Sequence, residues 1–354
     1  MDPSPRPERR QRHAMAYDAE SDRVILFGGA EGYIESDKPL NDTWSYDADF
    51  DRWTRLSPST VPPARSSHAM AYDEASDRVI LFGGTTGVFE PPLGDTWTFD
   101  LNSNTWENLS SADSPGGRYA SAMAYAAKSD RTVLFGGVTL DFESPDPYPS
   151  HVILNDTWMY DSSTNAWNNR TPSGSPPAKI VQGAAYDSES DRLVLVLGAL
   201  SDSETWAYDV ANNTWTGMVP EFSPPLGPMF GIAYNAAADR ILTVAGRAWA
   251  YDLNSNNWSA VEAMDSPFPR GLSALAYDRG SNLLVMFGGT RATAFALDSD
   301  FNDTWRLEVP YQAGSSGFSI ASIEVALLLL AAVAVAGIGF LIWRRRRPRG
   351  SPPS

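Results

Sequence analysis

Five cationic residues recur at one position of this sequence, seven residues before a repeated tyrosine. They are Arg10, Arg65, Arg118, Lys179 and Arg270, and the one remaining copy of the position is Gly227. A guanidinium group binds both oxygens of a carboxylate at once, so a set of this kind is suited to holding an anionic group. We take these five residues as the candidate ligand-binding residues of the chain.

Few other residues are suited to catalysis or metal binding. Cysteine is absent, so neither a disulfide nor a thiolate metal site can form. Of the three histidines, His13 and His68 share one repeated position, which leaves His151 as the exception. The sequence has no Gly-x-Ser-x-Gly elbow, His-Glu-x-x-His motif or phosphate-binding loop. We therefore predict no catalytic residue, no cofactor and no metal site.

The charge balance excludes one class of partner. The chain carries 43 acidic and 27 basic residues, which gives a formal net charge of −16 at pH 7. Five of the basic residues are clustered in the last eleven positions, so the rest of the chain is more acidic still. Because a polyanion would be repelled, binding to DNA or RNA is not expected.

Tryptophans divide the chain into copies of one unit. Five pairs are spaced nine residues apart, and Trp305 stands alone. The pairs are Trp44/Trp53, Trp97/Trp106, Trp158/Trp167, Trp206/Trp215 and Trp249/Trp258. A tyrosine follows the second Trp of each pair after nineteen residues, and a glycine follows that tyrosine after twelve more. Six copies of one unit therefore occupy residues 10 to 310.

Each copy contains four short segments that are rich in β-branched or aromatic residues, with turn-forming residues between them. Four antiparallel strands in about fifty residues cannot bury both sheet faces alone, so the copies must pack on one another in a ring. Position 314, nine residues after Trp305, is glycine. We predict an all-β, six-bladed β-propeller whose last blade lacks its fourth strand.

These residues resemble the kelch-repeat propellers. The resemblance rests on a Gly-Gly doublet after the second strand, an aromatic-Asp pair on the third and a tryptophan on the fourth. The doublet is replaced by Leu197-Gly198 and Ala245-Gly246 in copies four and five. The resemblance implies that arginines near the position of the five cations bind acidic ligands. Kelch-fold copper oxidases use a cysteine-tyrosine cofactor, and the absence of cysteine excludes that activity here.

Strand alternation gives the propeller two different faces. We define the upper face as the one that carries the loops between strands two and three and the links between blades. Its loops vary from three positions, Gly246 to Trp249, to twenty-one, Gly137 to Trp158, whereas the tight turns of the lower face barely vary. Such variation on a rigid scaffold is typical of a recognition surface. The five cations are expected around the upper mouth of the channel, where they either bind an anionic ligand or pair with carboxylates of the adjacent blade.

A membrane anchor is predicted at the C terminus. Residues 325–343 are uncharged and mostly aliphatic, long enough for a helix of about 28 Å, and Arg344 to Arg347 and Arg349 follow directly. The positive-inside rule then places the tail in the cytoplasm and the repeats outside the cell. A cleavable C-terminal sorting signal has a similar architecture, so a permanent anchor and a processed signal both stay open.

The predicted division of the chain follows from these patterns. It is an N-terminal segment 1–9, blades at about 10–56, 65–109, 118–170, 179–219, 227–262 and 270–310, a linker 311–319, a transmembrane helix 320–343 and a basic tail 344–354. Export requires a signal peptide, and closure of the last blade requires a fourth strand, but residues 1–12 contain no apolar stretch. We expect Met1 to be an internal or misassigned start, with both features encoded upstream.

The sequence thus predicts a single-pass protein of the cell membrane that displays a propeller at the cell surface. Its upper face is expected to bind a protein or glycan ligand of anionic character. One alternative is a surface enzyme, sialidase- or epimerase-like, in which the cations hold an acidic carbohydrate while an upper-loop Glu or Tyr acts as acid or base. A structural envelope protein is the other alternative.

Overall fold

The computed structural model of the protein describes residues 5–32, 38–143, 148–198, 203–224, 231–261, 267, 269–291 and 300–308. All regular elements in these ranges are β-strands, which form the six antiparallel blades of a propeller and one additional two-stranded sheet. The predicted all-β, six-bladed architecture is confirmed. In the described ranges no helix has the length and apolar character needed to cross a membrane. The predicted transmembrane helix 320–343, linker and tail lie outside the described residues.

The strands follow the predicted order of the repeat. Blade 1 contains β1 (Ala14–Asp18), β2 (Arg23–Phe27), β5 (Thr43–Asp47) and β6 (Arg52–Leu56), with the short pair β3 (Ala30–Glu31) and β4 (Lys38–Pro39) in its upper loop. Blade 2 contains β7 (Ala69–Asp73), β8 (Arg78–Phe82), β9 (Thr96–Asp100) and β10 (Thr105–Asn108). Blade 3 contains β11 (Ala122–Ala126), β12 (Arg131–Asp141), β13 (Ser150–Asp161) and β14 (Ala166–Asn169).

The remaining blades repeat the pattern with one difference. Blade 4 contains β15 (Val181–Asp187), β16 (Arg192–Leu197), β17 (Glu204–Asp209) and β18 (Thr214–Met218). Blade 5 contains β19 (Ile232–Asn235), β20 (Arg240–Val244), β21 (Ala248–Asp252) and β22 (Asn257–Val261). Blade 6 contains β23 (Ala274–Asp278), β24 (Leu283–Phe287) and β25 (Thr304–Glu308). Among the described residues this last sheet therefore has three strands, whereas the other five blades have four.

The first strand of each blade lies next to the axis, and the ring closes where β1 meets β23. The segment before β1 makes this closure with its backbone. The amide of Arg10 donates to the carbonyl of Phe301 at 3.1 Å, and the carbonyl of Arg10 accepts from the amide of Gly289 at 2.9 Å. The amide of Arg12 adds a bond to the carbonyl of Leu272. Blade 1 is thus joined to blade 6 by the residues that precede its own sheet.

The second tryptophan of each pair holds neighbouring blades together. Its indole is buried, and in blade 2 the Trp106 ring packs on Phe27 of blade 1, with centroids 4.9 Å apart. The indole nitrogen of Trp106 also donates to the hydroxyl of Thr43 in blade 1 at 3.0 Å. The same bond to a threonine of the preceding blade is made by Trp53, Trp167, Trp215 and Trp258. The second tryptophan of each pair therefore marks one interface between neighbouring blades.

The glycine doublet lets two backbone segments approach the end of the second strand closely. Gly83 and Gly84 have φ values of +70° and +100°, a region that disfavours any residue with a Cβ atom. A Cβ atom at Gly84 would lie 2.8 Å from the carbonyl oxygen of Ser66, and one at Gly83 would lie 2.5 Å from that of Arg118. Gly83 thus makes room for the segment that leads into the next blade, and Gly84 makes room for the segment that leads into its own blade.

The tight lower turns are stabilised by side chains of the repeat. In blade 1, Tyr17 donates its hydroxyl to Asp22 at 2.8 Å, and Asp22 itself adopts a positive φ of 56°. Arg23, which follows it, pairs with Asp47 on the third strand at 2.7 Å. An aspartate in such a turn followed by an arginine that crosses to a neighbouring strand has a structural explanation.

Candidate functional site

The structure places the arginines of the candidate set inside the blades. In blade 2, the Arg65 side chain is 0% exposed. Its two terminal nitrogens donate to the two carboxylate oxygens of Asp95 at 2.6 and 2.7 Å. One of them also donates to the carbonyl of Gly83 at 2.9 Å, and the Nε atom donates to the carbonyl of Pro63 at 3.0 Å. Four of the five N–H donors of a guanidinium group are therefore used within the protein.

Three further copies of the site have the same geometry. In these copies a buried arginine binds both oxygens of a carboxylate: Arg10 that of Asp42, Arg118 that of Asp156 and Arg270 that of Asp303. The copy in blade 4 differs, since Lys179 is 23% exposed and donates to one oxygen of Glu204 at 2.7 Å. In each pair the acid stands two residues before the first tryptophan of its blade, whose indole nitrogen donates to the same carboxylate, as Trp97 does to Asp95 at 2.7 Å.

The ion pair determines the protonation of its carboxylate. Burial by itself would raise the pKa of Asp95, but the hydrogen bonds and the charge of Arg65, together with the Trp97 bond, outweigh burial and hold the pKa below its usual value. The same balance lowers the pKa of Asp42, Asp156 and Asp303. These carboxylates therefore stay ionised and paired at neutral pH.

The pairing differs in one respect from the structural alternative proposed from the sequence. The carboxylate partner belongs to the same blade as the cation, because both lie in one copy of the repeat. The link to the adjacent blade is made by the backbone instead, as the amide of Gly29 in blade 1 donates to the carbonyl of Arg65 at 2.9 Å. Arg10, Arg65 and Arg118 thus bind within their own blade through the side chain and to the preceding blade through the carbonyl. Binding of an external anion by these five residues stays a prediction.

The central channel is lined by other residues. One residue from each of the six blades lines both an upper chamber of about 160 Å³ and a lower one of about 270 Å³, and together these residues form an apolar girdle between the two chambers. The girdle consists of Met15, Met70, Met123, Ala184, Ile232 and Leu275. Arg12 is the one lysine or arginine among the described residues that line the upper chamber, and none of the five candidate cations lines it. The five cations that were expected around the channel mouth therefore do not line the upper chamber.

Two histidines lie in the wall of the upper chamber. His68 packs edge-on against Phe27 of blade 1 with ring centroids 5.5 Å apart, and His13 packs in the same way on Phe287 of blade 6. Burial and the neighbouring charge of Arg65 lower the pKa of His68 to about 3, and burial with Arg10 lowers the pKa of His13. Both rings are therefore neutral near pH 7, and they serve as packing between blades.

The two faces of the propeller differ in what they expose. Seven large hydrophobic side chains are exposed in the described ranges. Six of them lie on the upper face, in its loops, its links between blades or a strand end that projects from it: Phe89, Phe142, Tyr148, Val152, Ile180 and Val219. The seventh, Phe50, lies in the turn between β5 and β6 on the lower face. Apolar surface that no core requires is thus concentrated on one face.

The upper face also carries paired strands where the sequence predicted only a long loop. Strands β12 and β13 continue past the sheet as a projecting hairpin, in which Val138 pairs with Ile153 and Leu140 with His151. A register shift between Phe135 and Gly137 separates the hairpin from the blade. The alternating Val-Thr-Leu and His-Val-Ile segments were the available signal for these strands.

Comparison with known proteins agrees with this architecture. The family described as the KLHDC2/KLHL20/DRC7 Kelch-repeats domain matches residues 32–246, from the upper loop of blade 1 into blade 5. The chain belongs to this kelch-repeat family. Kelch propellers are scaffolds for protein binding, and the six-bladed ring described above is such a scaffold.

Individual relatives share little more than a quarter of the aligned residues with this chain. Mei4-dependent protein 6 of Schizosaccharomyces pombe is 27% identical over 169 residues, which cover 45% of this chain and 23% of that protein. Adagio-like protein 1 of Oryza sativa subsp. japonica is 28% identical over 192 residues, 52% of this chain and 28% of that protein. Adagio protein 3 of Arabidopsis thaliana is 27% identical over 192 residues, with the same shares. The kelch chain spans about a quarter of the length of these curated relatives.

Proposed function

We propose that this kelch propeller binds a protein or glycan ligand through its upper face, and that the tight turns of the lower face have a structural role. The observation that carries the proposal is the distribution of exposed large hydrophobic side chains, six on the upper face against one on the lower face among the described residues. Variation in loop length falls on the same face. A rigid ring with variable, apolar loops at one end is the arrangement that repeat scaffolds use for recognition.

The proposed location is the cell surface, with the propeller outside and residues 344–354 in the cytoplasm. Support comes from the apolar segment 325–343 and the arginines directly after it. Strand β25 runs from the upper to the lower face, so the chain leaves the propeller on the lower side. In that arrangement the variable loops point away from the bilayer, where a ligand outside the cell has access to them.

Lysine labelling tests the orientation directly. The chain has three lysines, Lys38, Lys128 and Lys179, and the tail beyond residue 343 has none. Both Lys38 and Lys128 are exposed in the propeller. A membrane-impermeant amine reagent applied to intact cells is expected to modify these two residues. Labelling only after the cells are lysed would contradict an external propeller.

Loop replacement tests the binding function. The projecting hairpin of blade 3 is replaced between Val138 and Ile153 by a two-residue Asn-Gly turn, which leaves the blade itself intact. Wild type and variant are screened against a glycan array and a panel of acidic and basic peptides. We expect the variant to unfold at the wild-type urea concentration and to lose ligands that the wild type binds. Equal binding by both proteins would contradict recognition by this part of the upper face, and turnover of a bound ligand would favour an enzyme.

A further inference from the structure

An aromatic cluster stands at the corner of the upper face between blades 2 and 3. The rings of Phe89, in the β8–β9 loop, and Tyr148, at the tip of the projecting hairpin, lie 5.0 Å apart at an interplanar angle of 30°. These two side chains are 49% and 41% exposed, and Phe142, at the end of the hairpin strand β12, is 52% exposed. Stacked rings that stay half in water are the kind of surface that a partner covers.

The residues around the rings carry charge of a single sign. Glu90 follows Phe89 directly, and Asp141 and Glu143 flank Phe142. All three acids are exposed, and none of them forms a salt bridge with another described residue. Residues 85–94 and 138–153 contain no lysine or arginine. The patch therefore combines an apolar centre with an acidic rim.

The projecting hairpin is also joined, near its base, to the segment that precedes β11. The backbone of Tyr119 exchanges two hydrogen bonds with Val138, of 3.0 and 2.8 Å, at the base of the hairpin. The hydroxyl of Tyr119 is 2.8 Å from Nδ1 of His151 on the opposite strand. These contacts hold both strands of the hairpin near its base, which lowers the entropic cost of ordering those strands when a ligand binds.

The geometry points to a binding site for a basic peptide segment with an apolar anchor. We propose that the apolar side chain of such a segment covers Phe89 and Tyr148 while its arginines or lysines pair with Glu90, Asp141 and Glu143. An arginine also stacks favourably on an aromatic face. An acidic peptide or an anionic membrane surface would be repelled by the same rim. This inference rests on the proposed function and specifies one partner class and one corner of the upper face.

Peptide binding to the full chain tests the proposal. The probe is a fluorescent synthetic peptide of alternating arginine and leucine, compared with the same peptide carrying glutamate in place of arginine. We expect the basic peptide to bind and the acidic one not to bind. The double variant Phe89→Ala, Tyr148→Ala is expected to weaken binding about tenfold or more, since two aromatic contacts are lost while the acidic rim stays.

Matched variants separate the contributions. Phe50→Ala, which removes an aromatic side chain that is 77% exposed on the lower face, is expected to leave the affinity unchanged. Glu90→Gln with Glu143→Gln is expected to lower the affinity and to flatten its salt dependence. Thermal unfolding of each variant confirms that the fold is kept.

Several results would overturn the inference. Equal binding of the acidic peptide, unchanged binding by the Phe89/Tyr148 double variant, or binding of anionic phospholipid vesicles in place of the peptide would each do so. A partner that contacts the upper face at Ile180 or Val219 alone would also overturn it, yet would leave the proposed function standing. A partner that contacts only the lower face would contradict both this inference and the proposed function.

Discussion

Replacing Arg65 by methionine is the sharpest test of the ion pair in each blade. Methionine keeps much of the side-chain volume and removes the guanidinium. The change leaves the carboxylate of Asp95 without its charged partner and the carbonyl of Gly83 without a donor. Removing one partner of a buried pair costs about 3–5 kcal/mol. Since Asp95 is 20% exposed and keeps its bond from Trp97, we expect about 3 kcal/mol, a hundredfold change in the unfolding equilibrium.

The assay is equilibrium urea unfolding followed by tryptophan fluorescence. Adding Asp95→Asn to the Arg65→Met variant removes the orphaned charge, so the double variant is expected to regain about 1–2 kcal/mol of the free energy of unfolding. Lys179→Met is the matched control, because its pair with Glu204 is partly exposed and is expected to contribute less than about 1 kcal/mol.

The ion pair also fixes the sign of a pH effect. Because the folded pKa of Asp95 lies below the unfolded value of about 4, its contribution to stability is fully present above that pH. It is lost as the pH falls through the folded pKa. The difference in stability between the wild type and Arg65→Met is therefore expected to narrow in acid. A loss below about 1 kcal/mol at pH 7, with no recovery in the double variant, would refute the structural role. Lost ligand binding with unchanged stability would instead favour an anion site.

Three further substitutions test an indole hydrogen bond between blades, a buried histidine and a close backbone approach, and two more are included for comparison. Thr96→Val leaves the buried indole nitrogen of Trp167 without its acceptor and is expected to cost about 1–3 kcal/mol; Trp167→Phe should cost less in that background than in the wild type. His68→Ser removes a group that the unfolded chain protonates near pH 6.5 and the folded chain only near pH 3. The wild type should therefore lose about 2 kcal/mol of stability between pH 7 and pH 5 that the variant keeps, as measured by urea unfolding at both pH values. Gly84→Ala forces a Cβ atom to 2.8 Å from a carbonyl oxygen at a φ of +100° and is expected to cost about 2 kcal/mol or more in thermal unfolding. Gly174→Ala, which meets no atom within 4 Å, should change stability by less than about 0.5 kcal/mol; equal effects of these two alanines would contradict the packing argument.

The fold was predictable because its packing residues repeat. Trp53 and Trp106 occupy equivalent interfaces, and each requires a threonine on the preceding blade. At one position of the repeat both partners are replaced in the sequence. Ala248 stands at the threonine position of blade 5, and Gly314 stands where the next blade would carry the matching tryptophan. Contacts that recur in most copies of a repeat leave a periodic pattern in the sequence, and this pattern allows them to be predicted.

The partner of the repeated arginine was also visible in the sequence, although only the coordinates identify it. In five copies an acid stands two residues before the first tryptophan, and in the remaining copy both members of the pair are gone, with Gly227 for the cation and Arg247 for the acid. Joint loss of two residues indicates direct contact. The charge pattern, together with a resemblance to ligand-binding propellers, left both an ion pair and an anion site open.

The stacking of Phe89 on Tyr148 was not predictable from periodicity. Neither residue has a counterpart in other copies, and their contact joins two loops of unequal length on different blades. The position of such loops depends on a few contacts, such as Tyr119 with His151, that occur once in the chain. Recognition surfaces depart from the repeat, so only a three-dimensional structure brings their residues together.

Site-specific photocrosslinking tests the central claim, that the upper face is the recognition surface. A photoreactive phenylalanine analogue is introduced at Phe89 or at Phe50, two exposed aromatic positions on opposite faces. The full chain is expressed and irradiated in its own cells. We predict a crosslinked species of higher mass from position 89 and none from position 50. Crosslinking from position 50 alone, or from neither position, would contradict the account.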